Sequence, residues 1–339
     1  MQTPRKTLYI RRSLLAAAII FVTALAVALS TTRRETPTSG GVSRLRNPTS
    51  TALPATTSLP EASQATIRPL VVQYAFQSEV VTLVDPSRST PARGLVPALG
   101  SRTLLTEILT PVGVPGRMPL IVFAHGWSSS PSTYEKLLEA WAAAGYMVAA
   151  PTFPDSTDTS PGSPVSNYPD QAHDISFVIT SLLSKFSGEV DQDRIAVGGH
   201  SDGGTDVALL ALNPEYADHR IRAYLSLSGE IPLDIPGRWG VQTPGDLLVV
   251  VGTNDDYGLQ ARSTRVYQTA GMVKALLTVH GGDHLNMYIG SSPQARSLRV
   301  KTVEFLDISL RSAVVAPAEL ATVLESSIDP SIESTVGIG

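Results

Sequence analysis

Short apolar runs recur along the chain with amphipathic stretches between them. Residues 120–124, 146–150, 195–197, 221–227, 247–251 and 272–279 are rich in Val, Leu, Ile and Ala and read as strands, the unbroken run at 120–124 as one buried on both faces of a parallel sheet. Upstream, residues 71–76 with 80–84, and 104–109, read as further strands bounded by Pro, Gly or charged residues. Between the runs, apolar positions take helical spacing: Tyr134, Leu137, Leu138, Trp141 and Ala142, then residues 171–185, 205–212 and 295–311. Strands alternating with helices predict an α/β chain with a doubly wound, mostly parallel sheet.

The ends of the 339-residue chain break this pattern. Arg5, Lys6, Arg11 and Arg12 precede an uncharged apolar run over residues 13–30, which has no polar face and so is not a core helix. Its length fits either a signal peptide, with Ala26-Val27-Ala28 as a small-residue cleavage site, or a membrane anchor, and the basic flank sets the amino terminus inside. Either implies an exported catalytic domain, secreted or membrane-anchored. Arg11-Arg12-Ser13-Leu14-Leu15 faintly resembles a twin-arginine signal, a pattern that chance also produces in a basic flank. Residues 31–68 turn to Ser, Thr, Pro, Ala and Gly with too little apolar surface to order a core, and read as a linker. The folded domain is expected over residues 69–312. Residues 313–339, acidic and without a basic residue, read as a mostly disordered tail.

Charge and composition narrow the chemistry. The net charge is −4, and because the first 34 residues contribute six positive charges, the remainder carries −10. Such an acidic body argues against a nucleic-acid partner. With no cysteine there is no thiol nucleophile, thiolate metal site or disulfide. No Walker loop, dinucleotide fingerprint or His-Glu-x-x-His is present, so no cofactor or metal is expected.

The chemistry concentrates where the run at 195–197 must turn sharply into the helix at 205–212. There the chain reads Gly199-His200-Ser201-Asp202-Gly203. Glycines two residues before and after Ser201 allow a strained strand-to-helix bend that lifts the hydroxyl clear of the sheet edge. A glycine-rich loop with an N-capping serine would look the same in isolation, so the partners decide. Serine needs an imidazole within hydrogen-bond reach, oriented by a carboxylate. Asp255 lies three residues past Gly252 at the end of the run 247–251 and is the preferred acid, with Asp256 the alternative and a solvated turn aspartate the plain reading of either. His284 lies in the loop after the run 272–279 and is the preferred base, whereas His280 reads as a strand-end residue. Two glycines between these histidines weaken any metal-binding reading.

A negative oxygen in the tetrahedral intermediate needs two preorganised N–H donors. The backbone amides of Asp202 and Trp127 are the candidates, and the Trp127 ring is a candidate pocket wall or plain core packing. His125 is expected to order the loop carrying Trp127, His200 to pack under the serine turn, and His173 and His219 to lie at the surface.

His125-Gly126-Trp127, the Gly199–Gly203 motif, Gly252 with Asp255, and His284, in this order between these strands, resemble an α/β-hydrolase over roughly residues 69–311. Tyr168-Pro169-Asp170-Gln171 before a helix further resembles the capless branch of dienelactone hydrolases, chlorophyllases, platelet-activating-factor acetylhydrolases and polyester hydrolases. The resemblance implies a cofactor-independent serine hydrolase acting on carboxylic esters through an acyl-enzyme. Seventeen residues, 229–245, separate the runs between which caps are commonly inserted, too few for a cap domain. An open cleft follows, rimmed by residues 151–170, by Trp239 and by residues 286–288 including Met287, and suited to small or polymeric esters. Asp202 departs from the uncharged residue of many relatives and would disfavour acidic substrates. Serine at position 201 argues against the dehalogenase and epoxide-hydrolase chemistries of this fold. Two other readings stand beside the esterase: a catalytically silent exported binding protein, and a peptidase, the latter weakened by the absence of sequence for a cap or propeller.

Overall fold

The computed structural model describes residues 73–94, 96–158, 164–240, 243–311, 315–326 and 329–338. The apolar run and linker at residues 1–68 lie outside them. Among the described residues no helix is long and apolar enough to cross a membrane.

Among the described residues nine strands form one sheet: β1 (Phe76–Asp85), β2 (Arg102–Pro111), β3 (Met118–Ala124), β4 (Met147–Thr152), β5 (Val190–His200), β6 (Ile221–Leu227), β7 (Asp246–Gly252), β8 (Val273–Val279) and β9 (Ile332–Ile338). Their order is β1-β2-β4-β3-β5-β6-β7-β8-β9. The six from β4 through β8 are mutually parallel. β1 and β2 add antiparallel at one side and β9 at the other, making a mixed sheet.

Among the described residues seven α-helices follow in chain order: α1 (Glu135–Ala143), α2 (Tyr168–Lys185), α3 (Asp202–Leu212), α4 (Gln260–Thr269), α5 (Asn286–Ile289), α6 (Pro293–Arg311) and α7 (Pro317–Glu325). Strand alternation divides the core. Leu120, Val122 and Ala124 of β3 face one layer with α2, α3 and α4, while Ile121 and Phe123 face the other with α1, α6 and α7. β3 and β7 are buried at every position, which is why they read as unbroken apolar runs. Prolines open α2 and α7, where the missing N–H costs no intrahelical bond.

Three expectations need correction. The first strand was expected as two pieces, residues 71–76 and 80–84. Residues 71 and 72 lie outside the described set, Gln73 to Ala75 are not strand, and β1 runs without a break through Ser78 and Glu79. On this outermost strand one face meets solvent, so polar residues do not mark an end. The Asp191-Gln-Asp-Arg turn is instead the start of β5. The acidic tail is not disordered over its described residues: Leu320 and Leu324 of α7, one turn apart, are buried, and β9 pairs with β8 from Ile332↔Val279 to Ile338↔Val273. The order of β9 comes from a partner strand 53 to 65 residues upstream, from Ile332↔Val279 to Ile338↔Val273.

Candidate active site

β3, β5, β7 and β8 run parallel and end at one edge of the sheet, so the loops after them converge by topology. The tightest is the turn from β5 into α3. Ser201 sits there at φ 57° and ψ −117°, a positive φ that a residue with a side chain rarely takes. Two close approaches enforce it. A Cβ on Gly199 would stand 2.2 Å from the Gly203 carbonyl oxygen, and one on Gly203 would stand 2.1 Å from the Ala124 carbonyl oxygen. The Ser201 N–H is fixed to the Leu227 oxygen of β6 at 2.9 Å. Ser128 after β3 (φ 53°) and Ser228 after β6 (φ 49°) also take positive φ, so backbone strain gathers around this edge.

The structure brings Ser201, His284 and Asp255 together. His284 Nε2 lies 3.0 Å from Ser201 Oγ, and its Nδ1 lies 2.8 Å from Asp255 Oδ2. Asp255 is buried, and its other oxygen accepts the Tyr257 N–H at 3.0 Å. Burial pushes its carboxyl up, yet the hydrogen bond and charge of His284 with the Tyr257 N–H prevail and hold it below the ordinary value. Asp256 is exposed. His280 is half exposed and bonds Glu333, away from this group.

A buried chain of hydrogen bonds lies behind these side chains, and the sequence did not disclose it. The Gly126 N–H donates to Tyr134 OH at 3.2 Å, Tyr134 OH bonds His200 Nδ1 at 2.8 Å, and His200 Nε2 donates to the His284 carbonyl at 2.7 Å. The carbonyl accepts only, so the proton of His200 sits on Nε2 and Nδ1 accepts from the tyrosine. Burial, then the nearby His284, push the His200 pKa down to about 3, and burial raises Tyr134 to about 12, so both stay neutral. His125 is fixed in the same way. Its Nδ1 donates to the Gly126 oxygen at 2.9 Å, its Nε2 accepts the Phe153 N–H at 3.0 Å, and burial lowers its pKa to about 4. His200 thus packs under the serine turn and His125 holds the loop after β3. His173 and His219 are exposed. The Tyr257 ring stands 4.5 Å from the His284 ring and covers it from outside.

The loop after β3 lies against Ser201, since a Cβ on Gly126 would come within 3.2 Å of Ser201 Cβ. The amides flanking Trp127 are occupied, Gly126 by Tyr134 and Ser128 by the Ser156 oxygen at 2.7 Å. The Trp127 side chain is 37% exposed, and its Nε1 donates to the Pro164 oxygen at 3.2 Å. The Asp202 carboxylate turns towards the same segment: Ser166 Oγ donates to Oδ2 and Tyr168 OH to Oδ1, the latter at 3.1 Å. Burial raises its pKa, and the two hydroxyl donors oppose that rise.

Two expected rim residues do not join the site. Trp239 precedes Gly240, whose N–H bonds the Leu212 oxygen at 3.0 Å, and it packs on the core at the carboxyl end of α3. Eleven residues of helix, about 16 Å at 1.5 Å each, separate that end from Ser201. Met287 is buried with its sulfur against Gly252 and Gly282, beneath the loops of Asp255 and His284. Both side chains read as rim from their place in the chain; Trp239 instead lies partly buried at the far end of α3, and Met287 is buried under the loops. Tyr288, also expected at the rim, is buried with its hydroxyl on Ser228 and Val250.

The loop after β4, residues 153–167, is anchored to the body over its described part. Arg102 is wholly buried and bonds Asp155 Oδ2 at 2.8 Å and Asp174 Oδ1 at 2.6 Å, Arg93 Nη1 bonds the Asp155 oxygen at 2.7 Å, and Gln171 Nε2 bonds Ser156 Oγ at 2.5 Å. Among the described residues no group of three or more His, Cys, Asp or Glu side chains is placed to hold a metal ion.

A protein-family model described as chlorophyllase matches residues 97–237. Among solved structures, the chain is similar to a ferulic acid esterase from Streptomyces cinnamoneus, with a TM-score of 0.59 and 22% identity over 81% of this chain and 98% of that one. No curated protein matches.

Proposed function

We propose that this chain, an α/β-hydrolase by its fold, is a serine esterase that cleaves carboxylic esters through an acyl-enzyme. The observation that carries the reading is the continuous set of hydrogen bonds from Asp255 through His284 to Ser201 Oγ, on a nucleophile held at positive φ. The chlorophyllase family match and the esterase with a similar fold support the ester as substrate class.

In the first half-reaction His284 Nε2 takes the Ser201 proton as Oγ attacks the ester carbonyl. Asp255 holds Nδ1–H and stabilises the imidazolium that forms. The carbonyl oxygen becomes an oxyanion facing the amides of Trp127 and Asp202, and removing one such donor typically costs about 3 kcal/mol of transition-state stabilisation. Collapse breaks the ester C–O bond, and His284 returns its proton to the departing alkoxide. Water, deprotonated by the same imidazole, then releases the acid and restores Ser201. The short connection between β6 and β7 leaves the cleft uncapped, which suits exposed or bulky esters as well as small ones. The basic flank and apolar run at the amino terminus support export of the catalytic domain.

The test is labelling of the purified full-length chain with a fluorophosphonate, followed by peptide mapping and an ester panel. Covalent label on Ser201, lost in Ser201→Ala, is the expected result. A folded chain that neither labels nor hydrolyses esters would support the catalytically silent reading instead.

A further inference from the structure

The two residues whose amides face the proposed oxyanion both send their side chains to one short segment, residues 164–168. Trp127 Nε1 bonds the Pro164 oxygen, and the Asp202 carboxylate accepts from Ser166 Oγ and Tyr168 OH. The segment is itself fixed from behind, by the Val165 N–H on the Asp155 oxygen at 2.8 Å and by Asn167 Nδ2 on Asp170 Oδ2 at 2.7 Å. It therefore spans both sides of the hole and is anchored to the buried Arg102–Asp155 pair.

This arrangement answers a difficulty built into the sequence. A carboxylate directly after the nucleophile sits next to the place where a second negative charge must develop, and like charges at such range oppose each other. Its surroundings add little relief. Glu230 after β6 is a further negative charge, Asp206 one turn along α3 is a buried carboxyl whose pKa burial raises well above the ordinary value, and Tyr134 is neutral. His284, charged during turnover, favours the anion from across the site. What draws the carboxylate away is the pair of hydroxyls, each supplying a hydrogen to one oxygen and dispersing its charge.

We propose that Ser166 and Tyr168 are positioning residues whose hydroxyls hold the Asp202 carboxylate off the oxyanion hole and so let an acidic residue follow the nucleophile. The inference rests on the esterase reading above. It assigns the two hydroxyls a role in kcat, because the repulsion they relieve grows only as the oxyanion forms. Without them the carboxylate is free to turn towards the hole, and when ionised it opposes the transition state. When protonated it does not. Losing the donors also raises the Asp202 pKa, so the defect is absent at low pH and grows as pH rises.

The experiment compares wild type, Ser166→Ala/Tyr168→Phe, and the same double variant carrying Asp202→Asn, on p-nitrophenyl butyrate from pH 6 to 9. Thermal melts confirm folding, and the single variants Ser166→Ala and Tyr168→Phe serve if the double variant does not fold. The double variant is expected to lose about tenfold in kcat at pH 9, on the scale of part of one oxyanion donor, with KM changed less than about twofold and a smaller loss at pH 6. Asparagine at position 202 removes the charge and is expected to restore most of kcat, the coupling that defines an interaction between sites. A loss that is flat with pH, or that asparagine does not restore, would assign the hydroxyls a packing role and overturn the proposal. An active wild type matched by its double variant overturns it alone, whereas a wild type inert towards both ester and fluorophosphonate overturns the esterase reading with it.

Discussion

Asp255 and Asp256 differ by one position and by almost everything physical. One is buried, bonded to His284 Nδ1 and to the Tyr257 N–H; the other is exposed. Replacing Asp255 by Asn keeps the shape but turns an acceptor into a donor at one atom, so His284 is offered the wrong tautomer. Asp255→Asn is expected to lower kcat by about 10³ to 10⁴, as loss of the orienting acid does in a triad, while Asp256→Asn stays within about twofold. Steady-state hydrolysis by both variants checks this, and the reverse ranking would reassign the acid. Ser201, Asp255 and His284 were legible because each follows a recognisable strand by a short, fixed offset. The Tyr134–His200–His284 relay was not, because its members come from segments 66 and 84 residues apart and bond through ring nitrogens and a carbonyl that no motif encodes. Trp239 and Met287 failed for the opposite reason: their places in the chain put them on the rim, whereas the fold carries Trp239 to the far end of α3 and buries Met287.

β7 shows how one element serves both the core and the site. Its seven residues are buried along their length, its carboxyl end delivers the loop of Asp255, and its first residue, Asp246, is a carboxyl only 8% exposed. Burial pushes the Asp246 pKa up to about 6 from an ordinary 3.8. The sign follows from linkage: ionisation costs nothing below the unfolded pKa, the cost grows between the two values, and above pH 6 it is complete, at about 3 kcal/mol for a shift of this size. Asp246→Asn, which cannot ionise, is therefore expected to raise unfolding stability by up to about 3 kcal/mol at pH 8 and to change it little at pH 4. Urea unfolding at the two pH values checks it, and a gain equal at both would trace to packing. The strand itself was plain in the sequence as an unbroken apolar run. The first strand, with only one face covered, showed its alternation poorly, and a polar Ser78-Glu79 pair was enough to split it in the reading.

At the scale of the whole molecule the sheet has two outer strands of different origin. β1 arrives early in the described chain, but β9 is added by the last residues, which return from α7 and pair antiparallel with β8 along its full length. A single short strand has no local evidence to show, since its hydrogen bonds and its buried Ile332 depend on β8 being in place. An acidic segment without basic residues thus looks like a solvated tail until its partner is known. β8 leads directly into the His284 loop, and the Ser331 oxygen accepts the His280 N–H at 2.7 Å at the start of that loop. Ending the chain at Arg311 would remove α7 and β9 together, uncovering the β8 backbone edge and the apolar surface packed on Leu320 and Leu324. An open, apolar strand edge is a template for pairing between chains. The shortened chain is therefore expected to melt at least about 5 °C lower, the effect of roughly 2–3 kcal/mol in a domain of this size, and to aggregate on heating where the full chain does not. Ser201, His284 and Asp255 all remain in it, so on the proposed function any soluble monomeric fraction should still label at Ser201. Full thermal stability in the shortened chain would show that β9 rests on the sheet without supporting it.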